Sequence, residues 1–134
     1  MSRRILHTML RVGDLHKSID FYTNAIGMSL VRVFDNPEQG YTLAFLGFGP
    51  EESSTVLELT YNYGVDSYAR GPSFGHIAIG VDDCVSACER VKACHGKVTR
   101  EPGALKGGTE VIAFVQDPDE NLIEFIERPL SWFP

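Results

Sequence analysis

The segment His7-Thr-Met-Leu-Arg-Val-Gly-Asp14 returns 69 positions later as His76-Ile-Ala-Ile-Gly-Val-Asp-Asp83. In a chain of 134 residues, a repeat at that interval means one structural plan used twice. Each copy alternates like a strand and then runs into a stretch with helical spacing. In the first, Asp14 is placed to cap a helix with Leu15, Ile19, Tyr22 and Ile26 along its apolar stripe, and Gly27 to end it. In the second, Asp82 or Asp83 caps a helix with Val85, Cys88 and Val91 inward, and Gly96 ends it. Three strand-like segments follow each helix: 28–33, 41–48 and 55–61 in the first half, 97–100, 111–115 and 121–127 in the second. Gly, Pro and acidic clusters separate them. Each half reads β-α-β-β-β. The expectation is an α+β fold of two tandem βαβββ modules, residues 1–66 and 67–134, forming one domain and joined through the polar, glycine-containing stretch 64–72.

Strand alternation decides which side chains share a face. On the first strand His7, Met9 and Arg11 point with Ile5, while Leu6, Leu10 and Val12 form the set expected under the helix. On the last strand of that half, Glu58 shares a face with Val56, Thr60 and Asn62, against Leu57, Leu59 and Tyr61. The second half repeats this: His76 lies with Phe74 and Ala78, and Glu124 with Leu122 and Ile126. Each half therefore offers one His and one Glu on the face turned away from its helix. A lone strand histidine is more often a hydrogen-bonded core residue, and a lone glutamate among leucines more often faces solvent. Two matched pairs are harder to dismiss, because a carboxylate held among apolar residues is costly unless paired or metal-bound. His7, Glu58, His76 and Glu124 are expected to converge on one divalent ion. Two imidazoles and two carboxylates differ from the thiolate-rich set of a structural zinc site. They suit an octahedral ion with two positions left for water or substrate.

The remaining features narrow the class. A net charge of −6 speaks against non-specific nucleic-acid binding. No apolar run approaches the roughly 20 residues needed to span a bilayer, and no signal-peptide core follows the basic start. Cys84, Cys88 and Cys94 have neither CxxC spacing nor an even count. They read as reduced packing thiols in a cytoplasmic protein.

These residues bring a family into view. The repeat itself, together with Ser18-Ile-Asp-Phe-Tyr22, Leu57-Glu-Leu-Thr-Tyr-Asn62, Phe74-Gly-His-Ile-Ala78, Lys106-Gly-Gly108 and Ile112-Ala-Phe-Val-Gln-Asp-Pro-Asp119, resembles glyoxalase I (lactoylglutathione lyase) of the vicinal-oxygen-chelate superfamily. The resemblance runs from about Ile5 to Glu127. It implies isomerisation of the hemithioacetal of methylglyoxal and glutathione to S-lactoylglutathione, through a metal-stabilised enediolate. Glu124 would move the proton, with Glu58 a ligand or a partner in the shuttle. Arg11, Asn62, His76, Arg100, Lys106 and Gly107 would bind substrate. Lys106 and its glycines would form a mobile flap, and Tyr41, Leu43 and Phe45 could wall the methyl end of the substrate. The resemblance further implies a homodimer, His7 and Glu58 of one subunit meeting His76 and Glu124 of the other. His7 where zinc-activated relatives often carry Gln, the short start and the short 49–55 link resemble the compact nickel- or cobalt-activated type. Ni²⁺ or Co²⁺ is therefore expected over Zn²⁺, with glutathione as co-substrate.

Two departures from the family pattern stand out. Glu120-Asn121 replaces the usual Gly after Asp-Pro-Asp, and Asn121 is expected to take the left-handed conformation. Arg70 lies upstream of the arginine that relatives carry, and receives no role. Two other functions use the same fold. A metal-free, ligand-sequestering binding protein would not need four ligand positions, and an extradiol dioxygenase would leave Glu58 unexplained.

Overall fold

A computed structural model describes residues 1–134, and the chain divides into two compact units, Met1–Ala69 and Arg70–Pro134. The first contains β1 (His7–Arg11), α1 (Leu15–Asp20) continuing as a π turn (Phe21–Ala25), β2 (Ser29–Asn36), β3 (Tyr41–Gly47) and β4 (Val56–Asn62). The second contains β5 (His76–Val81), α2 (Cys84–Ala93), β6 (Lys97–Ala104), β7 (Val111–Gln116) and β8 (Leu122–Glu127), then a 3-10 turn (Leu130–Trp132). Each unit is βαβββ. Its sheet has four strands, ordered β1-β4-β3-β2 in the first unit and β5-β8-β7-β6 in the second. In each unit the strands that come first and last along the chain, β1 with β4 and β5 with β8, are parallel neighbours, and the other pairs are antiparallel.

In each unit the helix covers one sheet face. α1 packs on β3 and β4, burying Tyr22 with Ala44, Leu46 and Leu59. α2 packs on β6, β7 and β8, burying Cys84, Cys88 and Val91 with Val115, Ile123 and Phe125. Each large side chain taken from water in this way contributes roughly 1.5–3 kcal/mol. Asp14 caps α1 by accepting from the Lys17 backbone N–H, and Asp83 rather than Asp82 caps α2, accepting from Val85 and Ser86.

The structure corrects several expectations. The π turn was not foreseen: Ile26 N–H donates to the Phe21 carbonyl, and the extra residue in that turn lets Phe21 and Tyr22 both be buried. Leu6, assigned to the helix side, is exposed, because β1 begins only at His7. Val85 is exposed as well; Cys84 takes the inward position beside the cap. α2 closes with His95 in the left-handed region (φ 63°), one residue before the expected Gly96. β6 runs on to Ala104, absorbing Pro102 in the second of two register shifts before Gly103 pairs with Ile112. At the turn before β8 it is Glu120, not Asn121, that is left-handed (φ 67°). Asn121 is buried instead, its backbone and side-chain N–H groups both donating to the Asp117 carboxylate. Arg70 reaches this turn, donating to the Glu120 carbonyl at 2.5 Å, so a residue given no role helps hold a strained backbone position. One glycine is dictated by close approach: a Cβ at Gly13 would collide with the carbonyl oxygen of Asp66. The repeat carries Asp82 at the corresponding place.

Candidate metal centre

Parallel pairing of the first and last strands sets both histidine–glutamate pairs in one way. His7 is level with Val56 on β4, so Glu58 is two residues further along the same face. His76 is level with Leu122 on β8, and Glu124 is again two residues on. His7 Nε2 lies 3.2 Å from Glu58 Oε1, and His76 Nε2 lies 3.1 Å from Glu124 Oε1. The side chains are exposed to nearly equal degrees: 42% and 13% in the first pair, 41% and 12% in the second. The imidazoles reach outward while the carboxylates sit low among apolar neighbours.

An aromatic ring backs each histidine. Phe45, opposite Glu58 on β3, meets His7 edge-on at 5.9 Å. Phe114, opposite Glu124 on β7, meets His76 edge-on at 5.3 Å. The sequence suggests Phe45 only as a wall for substrate and gives Phe114 no role. Its signal was present in the repeat, which gives β7 the counterpart of β3.

The next residue outward is an arginine in both units. Arg32 pairs with Phe45 and Arg100 with Phe114. Arg32 lays its guanidinium over the Phe45 ring, 3.7 Å from the centroid, and forks onto Glu51 at 2.8 and 3.0 Å. That fork holds the Glu51 carboxyl below the usual carboxylate range. Arg100 turns to the backbone, donating to the carbonyls of Gly103, Ile112 and Ala104 at 3.2 Å each.

The other expected binding residues are scattered along the same strands and turns. Arg11 is exposed at the end of β1, four residues beyond His7 and on its face. Asn62 stands in the same relation to Glu58 and donates to the Tyr68 hydroxyl at 3.0 Å. Lys106 is exposed in the turn before β7, where Gly107 takes φ 82°.

The donor set fits a divalent ion. Adjacent ligand atoms on one ion, each bonded at about 2.1 Å, lie roughly 3.0–3.4 Å apart, the range that both N–O pairs occupy. Each unit offers such an ion one imidazole nitrogen and one carboxylate, and the structure gathers these side chains as two pairs, not as the expected set of four.

Residues 4–125 match the family described as the Glyoxalase/Bleomycin resistance protein/Dioxygenase superfamily. The lactoylglutathione lyase of Escherichia coli O157:H7 is 60% identical over 125 residues, covering 93% of each chain. Glyoxalase I from Zea mays superposes with a TM-score of 0.94 at 54% identity, over 96% of this chain but only 46% of the maize chain. The trypanothione-dependent glyoxalase I of Leishmania major superposes with a TM-score of 0.84 at 52% identity, over 94% of this chain and 87% of its own.

Proposed function

We propose, from the premise that this chain belongs to the Glyoxalase/Bleomycin resistance protein/Dioxygenase superfamily, that it is a lactoylglutathione lyase, a glyoxalase I. It acts in methylglyoxal detoxification, isomerising the hemithioacetal of methylglyoxal and glutathione to S-lactoylglutathione. The observation that carries this reading is the duplicated His–Glu pair, two low-lying carboxylates each beside an imidazole at metal-ligand spacing.

His7, Glu58, His76 and Glu124 are the residues that would hold the ion. When bound, it supplies Lewis-acid stabilisation of the negative charge that develops on the substrate oxygens. Glu124 removes the proton from C1 with a carboxylate oxygen and returns it at C2. Moving the C1 proton to C2, and the hydroxyl proton from the C1 oxygen to the C2 oxygen, turns the hemithioacetal into the α-hydroxy thioester with no oxidant and no lost atoms. Glu58 stays a ligand or shares the shuttle. Arg11 and Asn62, each on the strand face of a ligand, bind glutathione polar groups, and Lys106 with Gly107, in the turn before β7, serves as the flap over bound glutathione. Arg100 is the weakest member of that set, because its guanidinium already serves backbone carbonyls. Ni²⁺ or Co²⁺ suits the chemistry better than Zn²⁺, which adapts readily to fewer ligands.

The working form in this reading is a homodimer. One unit brings two ligands, and the second pair comes from a partner copy, His7 and Glu58 meeting the partner's pair equivalent to His76 and Glu124. Supporting this, the first unit exposes Leu30, Val31, Val33 and Phe34 along its edge strand β2. The three thiols fit a reducing compartment, and we place the protein in the cytoplasm.

Assaying thioester formation from methylglyoxal with glutathione and, separately, with trypanothione tests the reading. Turnover should be faster with glutathione. A preference for trypanothione would shift the thiol, and no turnover with either would refute the lyase.

A further inference from the structure

The two half-sites differ two residues beyond the glutamate, on the same strand face: the first has Thr60, the second Ile126. Thr60 is buried, and its Oγ1 donates to Glu58 Oε2 at 2.7 Å. Both oxygens of Glu58 are thus committed, Oε1 beside His7 and Oε2 to the hydroxyl. Glu124 also has Oε1 beside its histidine, but Leu122 and Ile126, which flank it on the strand face, carry no donor. The last torsion of a glutamate is soft. A carboxylate with one uncommitted oxygen can swing between partners, whereas Glu58 must first break a charge-assisted hydrogen bond.

We infer that Thr60 is a positioning residue that latches Glu58 as a static ligand, and that the missing latch at Ile126 leaves Glu124 as the carboxylate that carries the proton. The inference rests on the lyase reading and explains why two equivalent glutamates take unequal roles.

Three variants test it: Thr60→Val removes the donor while keeping the shape, Thr60→Ser keeps the hydroxyl, and Ile126→Thr offers Glu124 a donor of its own. The readouts are Ni²⁺ affinity, by competition with a chromophoric chelator, and kcat and KM measured separately. Thr60→Val should bind Ni²⁺ about 10- to 100-fold more weakly, as loss of a partner behind a metal ligand does. Thr60→Ser should recover most of that affinity. Ile126→Thr should keep the parental affinity while kcat falls about tenfold or more at little cost in KM, because the base is held back. The latch is overturned if Thr60→Val keeps the parental affinity, if Thr60→Ser behaves like Thr60→Val, or if Ile126→Thr keeps the parental kcat. A parent that binds Ni²⁺ but forms no thioester refutes the lyase reading alone, and the affinity arm then still decides the latch.

Discussion

His76 Nε2 stands 3.1 Å from Glu124 Oε1, the same contact that His7 Nε2 makes with Glu58 Oε1 at 3.2 Å. Equivalent geometry with the unequal roles proposed above makes Glu124 the informative residue to change. Glu124→Gln keeps the shape and an oxygen ligand but removes the base. Its kcat should fall roughly 10²- to 10⁴-fold, the usual worth of a positioned acid–base group, with metal still bound. Parental turnover would remove Glu124 from the proton-transfer role.

Arg11→Ala should act on binding instead. Losing one charged hydrogen-bond donor costs about 1.5–3 kcal/mol, a rise in KM of roughly tenfold or more with kcat little changed. An unchanged KM would remove Arg11 from the glutathione contacts.

The proposed homodimer can be tested by complementation. Chains carrying His7→Ala and chains carrying Glu124→Gln should each be inactive, yet regain activity when mixed and allowed to exchange. With cross-subunit sites, one site of the heterodimer carries both lesions and the other carries none. If every site forms within a single chain, no mixture recovers.

Much of this fold was legible because the repeat fixed the number of strands and their succession along the chain, and alternation then fixed the faces. The spatial order within each sheet, β1-β4-β3-β2 and β5-β8-β7-β6, did not follow from them. The positions of His7, Glu58, His76 and Glu124 followed from period-2 spacing alone. What escaped depended on contacts between distant parts of the chain. The π turn after Asp20 comes from burying both Phe21 and Tyr22, which local spacing does not announce. The left-handed Glu120 is held by Arg70, fifty positions away. The stacking of Arg32 on Phe45 and the hydroxyl of Thr60 on Glu58 needed the register between strands and the rotamers, neither of which periodicity supplies.

The thiols should divide by burial. Cys94 is exposed, while Cys84 and Cys88 are buried. Burial chiefly, with the nearby Glu127 carboxylate, pushes the Cys84 thiol up from 9.0 to about 11. The thiolate is the reactive form, so a thiol reagent at pH 8 should label Cys94 alone in the native protein and all three cysteines in denaturant. Because the folded protein favours the neutral thiol, this stabilising contribution is whole below the unfolded value and lost as pH climbs through about 11. Thermal unfolding should therefore turn downward above pH 9, and Cys84→Ala should flatten the part due to this thiol. Rapid native labelling of Cys84 would contradict its burial.

Metal choice should separate affinity from activity. Zn²⁺ binds two nitrogens and two carboxylates well, yet turnover calls for an ion that keeps two exchangeable positions. With one equivalent of each ion added to stripped protein, Ni²⁺ or Co²⁺ should give high turnover and Zn²⁺ little. Highest turnover with Zn²⁺ would reverse the assignment of the ion and leave the lyase intact.

The most direct test is to strip the protein with a chelator and follow the thioester absorbance with methylglyoxal and glutathione before and after Ni²⁺ is returned. The stripped protein should be inactive, and Ni²⁺ should restore turnover to the parent but not to a chain lacking both His7 and His76. Full turnover by thoroughly stripped protein, or no thioester with any divalent ion, would contradict the account.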